Sequence, residues 1–101
     1  MKYRRSAAFV ADYARLSATE RSLFKAAVRT MNEAYARRTG PMLVWPASLR
    51  IQRVRGYPSI WEMTWSFAGP DGRATFEVID IEGEPSIRWR RVGGHSIFAE
   101  P

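Results

Sequence analysis

Apolar positions follow two different periods along this chain. Over residues 6–36 they recur every three to four positions; from residue 49 onward they alternate. The first period predicts helices and the second predicts strands. Met1–Arg5 reads as a short strand. Ser6 is placed to cap a helix through Arg15, with Phe9, Tyr13 and Leu16 on one face. Ser17-Ala-Thr-Glu20 is a capping box, so the longest helix should begin there. Its apolar stripe is expected at Leu23, Ala27, Val28, Met31 and Tyr35, and Gly40-Pro41 should stop it. The two helices together form a helical hairpin.

Past a connector holding Pro41, Trp45 and Pro46, Leu49–Arg55 is strand-like. Gly56-Tyr57-Pro58 is expected as a turn. In Ile60–Phe67, Trp61, Met63, Trp65 and Phe67 fall on one side, with Ile60, Glu62, Thr64 and Ser66 on the other. Gly69-Pro70-Asp71-Gly72 carries hairpin-turn chemistry. Ala74, Phe76 and Val78 then oppose Arg73, Thr75, Glu77 and Ile79. After a turn at Glu82–Pro85, Ile87 and Trp89 oppose Arg88 and Arg90. Ser96–Phe98 reads as a last short strand. The fold expected is α+β: an N-terminal helical hairpin on a twisted, mostly antiparallel sheet of four to five strands, forming a single domain over residues 1–101. Parity assigns Trp61, Trp65, Phe76 and Trp89 to the core side. It assigns Glu62, Arg73, Glu77, Arg88 and Arg90 to the open side. Trp45 and Tyr57, placed in loops, are free to stack on a base.

Charge changes this picture by suggesting a partner. The net charge is +6 and is unevenly spread. Residues 1–55 hold 12 Lys/Arg against 3 Asp/Glu, whereas residues 56–101 hold 4 against 7. A small basic protein commonly meets a polyanion. The sequence has no cysteine, which fits a reducing cytoplasm and leaves no thiolate ligand. A single histidine makes a histidine-based metal site improbable, and no metal or other cofactor is expected. No apolar run is long enough to span a membrane, and the basic N-terminus has too short an apolar stretch for a signal segment.

Metal-free RNA cleavage needs a base at the ribose 2′-hydroxyl, a cation at the phosphate and an acid at the leaving oxygen. Arg73, Arg88 and Arg90 are suitable phosphate clamps, because guanidinium meets phosphate oxygens two at a time. His95, just past the last long strand and two glycines, is the one side chain whose ordinary titration lies near neutrality. Glu62 is the candidate base; Glu77 reads better as a cross-strand partner of arginine. Arg50, Arg53 and Arg55 extend the basic surface as RNA-binding candidates.

Four stretches resemble the RelE/ParE superfamily of bacterial type II toxins, in particular its RelE-like branch. They are Leu49–Gly56, Ile60-Trp61-Glu62, Asp71–Glu77 and Ile87–His95, in the family's order and spacing. The resemblance implies a toxin that cleaves mRNA in the ribosomal A site without a metal. A cognate antitoxin would hold it inactive, in a heterotetramer or larger assembly. Arg73 matches the family's phosphate-binding arginine and His95 a C-terminal catalytic histidine. Ser96 stands where a tyrosine is frequent, and the family's base does not carry over. Glu62 would take that role, or Arg88 and Arg90 would support a mechanism with no dedicated base. A ParE-like inhibitor of DNA gyrase, without nuclease activity, is the alternative; an inert or antitoxin-like module that keeps only the scaffold is a third reading.

Overall fold

A computed structural model describes residues 1–67 and 71–101. The expected hairpin turn at Gly69-Pro70 lies outside the described residues. The elements are β1 (Tyr3–Arg5), α1 (Ala7–Arg15), α2 (Ala18–Ala36), β2 (Gln52–Val54), β3 (Tyr57–Ser66), β4 (Gly72–Ile81) and β5 (Glu84–Gly93). They form one five-stranded sheet in the order β1-β5-β4-β3-β2, with every pairing antiparallel except β1 with β5. The α+β architecture is therefore the one the sequence predicts. Among the described residues, no helix is long and apolar enough to cross a membrane.

Both helices start where their caps place them. The Ser6 hydroxyl accepts the Phe9 N–H at 3.0 Å. Ser17 and Glu20 exchange side-chain-to-backbone bonds in a closed capping box. One strip of α2 packs on the sheet, but it runs through Phe24, Ala27 and Met31. Leu23 is 42% exposed, so the expected stripe was rotated by one residue at its start. The aromatic ring of Phe24, which meets Phe9, Trp65 and Trp89, decides the rotation. The helix also ends at Ala36, before Gly40-Pro41.

The core lies between the helices and one sheet face. Phe76 is fully buried there, its ring 5.4 Å from Trp89 and 5.6 Å from Trp45. Trp45 is thus committed to the core, also meeting Trp61 at 5.9 Å, and is not a free base-stacking ring. The long strand expected at Leu49–Arg55 is broken. Ala47–Leu49 form a 3-10 turn and Arg50 takes a left-handed conformation at φ 48°, leaving three residues for β2. This kink lets Leu49 turn inward while Arg50 stacks over the Phe67 ring at 5.0 Å. Phe67, expected in the core, is exposed just past the end of β3. The turn expected over Gly56-Tyr57-Pro58 is tighter: Gly56 takes φ 85°, and Tyr57 and Pro58 already belong to β3. Glu82-Gly83, both at positive φ, make the two-residue β4–β5 turn, the backbone shape that matches strand twist. Ser96–Phe98 do not form a strand; they lie in a 3-10 helix, His95–Ala99.

Two bulges set which side chains share a face. In β3 the register shifts between Thr64 and Ser66, so Trp65 is the extra residue. Its indole lies against Gly72 and donates to the Arg73 carbonyl at 2.8 Å. A Cβ at Gly72 would sit 2.6 Å from the ring atom Cδ2. Gly72→Ala should therefore displace the indole and cost about 1–3 kcal/mol, read as a lower urea midpoint at unchanged m-value. In β5 Thr75 pairs with Arg91 but Phe76 pairs with Trp89, so Arg90 is extra.

Candidate functional site

The polar face of the sheet is built in rows. Gln52, Glu62, Thr75 and Arg91 are Cα partners across β2, β3, β4 and β5. The next row toward one end holds Thr64, Arg73 and Gly93. On the other side Glu77 pairs with Arg88. Alternation alone puts Arg91 with Trp89 on the core side. The bulge at Arg90 cancels that, so Arg88, Arg90 and Arg91 all serve the polar face.

Arg73 is the most buried of the candidate arginines. Its Nη1 donates to Thr64 Oγ1 at 2.9 Å and to Asp71 Oδ2 at 3.3 Å, with the side chain 17% exposed. Glu62 Oε1 accepts from Gln52 Nε2 at 2.9 Å. Glu77 Oε1 accepts from Arg90 Nη1 at 2.6 Å and from Arg88 Nη1 at 3.3 Å, making it the cross-strand ion partner expected. His95 is exposed and begins the 3-10 helix, its ring 5.1 Å from Phe98. Since Gly93 is the partner of Arg73, the chain delivers His95 to the same end of the sheet as that arginine.

The remaining basic candidates are spread out. Arg53 pairs with Trp61 and its guanidinium stacks on that ring at 4.9 Å, on the opposite side from Glu62. Arg50 is at the kink before β2, and Arg55 is in the β2–β3 turn. Tyr57 is 43% exposed, as a stacking ring would need.

Periodicity did not reveal what joins the helices to this face. Asp12, on α1, is 6% exposed and takes three roles. Its carboxylate accepts Arg91 Nε at 2.6 Å and Nη2 at 3.1 Å, the Val92 N–H at 3.2 Å, and Arg15 Nη1 at 3.3 Å. The hydrogen bond to Asp12 raises the Arg91 pKa above its ordinary value, against the opposing effect of desolvation. β1 covers β5 over Ile87–Trp89 only. Beyond it, Ser6 and Asp12 satisfy the Trp89 and Arg90 carbonyls and the Val92 amide. The signal in the sequence was a single acid at a position bracketed by Phe9, Tyr13 and Leu16. Thr75 was also missed; its hydroxyl is buried in the middle of the polar face with no hydrogen-bond partner.

No family model matches the chain, and no curated protein matches it in sequence. Its fold does match solved structures. The E. coli RelE toxin, within the intact RelBE toxin–antitoxin complex, is similar with a TM-score of 0.60 at 16% identity, over 92% of this chain and 94% of that one. A free double mutant of E. coli RelE gives 0.61 at 15% identity, over 98% and 90%. A YoeB/ParE toxin from Agrobacterium tumefaciens gives 0.62 at 12% identity, over 94% and 99%. The chain therefore has the fold of RelE/ParE-like toxins.

Proposed function

We propose that this chain is the toxin of a toxin–antitoxin pair, and that it cleaves mRNA on the ribosome by acid–base chemistry of its own side chains. The observation that carries the nuclease reading is a pre-aimed arginine and an exposed histidine at one end of a polar sheet face. Arg73 would hold the scissile phosphate, its guanidinium already fixed by Thr64 and Asp71. Glu62 would take the 2′-hydroxyl proton while that oxygen attacks phosphorus. His95 would give a proton to the departing 5′ oxygen, leaving a cyclic phosphate and a free 5′-hydroxyl. Arg88 and Arg90 would bind the RNA backbone beside that centre. The antitoxin proposal is supported by solved likenesses that include RelE with RelB and with a RelB peptide.

The second reading, gyrase inhibition by binding, is favoured by the YoeB/ParE likeness. Induction of the chain in bacteria, with mRNA ends mapped and DNA supercoiling assayed, separates the two. Cleaved mRNA with normal supercoiling is the expected result. Intact mRNA with blocked supercoiling would sink the nuclease reading. His95→Gln should slow cleavage about 100-fold or more, the usual scale of general-acid assistance, while leaving the fold intact because the ring is exposed. Unchanged cleavage in that variant removes the histidine from the mechanism.

A further inference from the structure

Phe67 and Arg50 meet at the end of the sheet that holds Arg73, and the chemistry proposed above uses neither. β3 pairs Thr64 with Arg73 and then Ser66 with Gly72, Trp65 being the extra residue, and Phe67 follows at once. On the neighbouring strand Gly72 is preceded by Asp71, whose carboxylate fixes Arg73. The Phe67 backbone thus lies two strand steps past the Arg73 row, about 7 Å. The residue is 49% exposed, and the Arg50 guanidinium sits over its ring at 5.0 Å. Arg50 reaches that place under strain. It holds a left-handed backbone at φ 48°, which glycine would adopt freely. Among the described residues, no carboxylate pairs with it. Glycine would make the same kink with less strain, so the arginine is there for what its side chain does.

We infer that Phe67, backed by Arg50, is a stacking platform for an unpaired RNA base beside the phosphate that Arg73 holds. The choice of RNA as the occupant rests on the nuclease reading above. Every base has a π-face, so an exposed ring takes any of them, and a nearby cation strengthens the stack. A base can lie flat on the ring only when it has left a duplex, so the platform selects single strands. The other rings are not placed to do this. Trp45 and Trp61 pack on each other at the core, and Tyr57 opens β3 at its far end. Because Phe67 lies past the end of β3 and is half exposed, the core does not depend on it.

The test is a fluorescence-anisotropy titration of the full chain with a short single-stranded 2′-O-methyl RNA, which cannot be cleaved, repeated over a range of salt. Phe67→Ala should bind about tenfold more weakly, the scale of one lost base–aromatic stack. Its log–log salt slope should match the parent's, because no phosphate contact is lost. Phe67→Trp should bind at least as well as the parent. Arg50→Gly should melt no lower than the parent, since glycine takes φ 48° freely, yet bind about threefold more weakly, the scale of an exposed cation–π contact. A strand of the same length made of abasic nucleotides should bind the parent and Phe67→Ala alike. Unchanged affinity in a folded Phe67→Ala chain overturns the platform. So does a lower salt slope in that variant, a duplex bound as tightly as the single strand, or a parent chain that binds no RNA. A chain that stacks RNA in this way yet cleaves no mRNA in cells keeps the platform and loses the nuclease reading. Phe67→Ala that cleaves mRNA at the parent rate and binds RNA as the parent does reverses that outcome.

Discussion

Arg73→Ala should abolish measurable mRNA cleavage on induction, a fall of about 10²–10³ in rate, the cost of deleting one fixed donor to a charge-building oxygen. The size of the effect comes from preorganisation. Thr64 and Asp71 hold the guanidinium before any substrate arrives, and the side chain is mostly buried. An arginine already in place loses little freedom on binding, so more of its interaction reaches the transition state. Arg73→Lys should recover only part of the rate, since an ammonium lacks the planar fork. Both variants need comparison at equal folded concentration, because removing the guanidinium also leaves Thr64 Oγ1 without its partner. Normal cleavage by a folded Arg73→Ala chain would move the phosphate site elsewhere, with the Arg88–Arg91 cluster next in line.

Asp12→Ala should be the most destabilising change to a single polar residue, at about 3 kcal/mol. It strands the Val92 amide and leaves Arg91 without its counter-charge, and breaking a buried pair from one side is far costlier than never having built it. For a domain of this size, that is a fall of roughly 15 °C in melting temperature. Asp12→Asn keeps an oxygen for the amide and should lose about half as much. If Asp12→Ala melts where the parent does, then the α1–β5 junction does not depend on the carboxylate. The Arg91 side chain should also lose its fixed orientation, so the variant tests the arginine cluster as well as the fold.

The helices were legible because their start signals are local. Ser6 and Ser17-to-Glu20 act within one turn of chain, and the alternation in β3 and β4 needs no partner to be seen. What failed depended on distant groups. Leu23 and Phe24 are equally apolar, and the choice between them came from Trp65 and Trp89, more than forty positions away. Leu49–Arg55 was read as one strand, but Leu49 reaches the core through a 3-10 turn and a left-handed Arg50. Parity read Arg73, Glu62, Glu77, Arg88 and Arg90 onto one face correctly. Carried on to Arg91, the same parity fails, since a bulge leaves no mark in a run of arginines. Asp12 was visible as a letter, but its meaning lay in an unpaired amide on β5.

The parallel pairing of β1 with β5 sets an order of assembly. The helical hairpin closes locally, and each antiparallel neighbour in the sheet follows its predecessor in sequence. Tyr3 meets Ile87, Ser6 meets Trp89 and Arg90, and Asp12 meets Val92, so the first dozen residues wait for the last fifteen. Closing so long a loop is entropically unfavourable and is repaid only when β5 is present. On a translating ribosome, the arginine face and the turn carrying His95 would come together only after β5 had left the exit tunnel. No stretch of chain that stops short of β5 can hold the arginine face assembled.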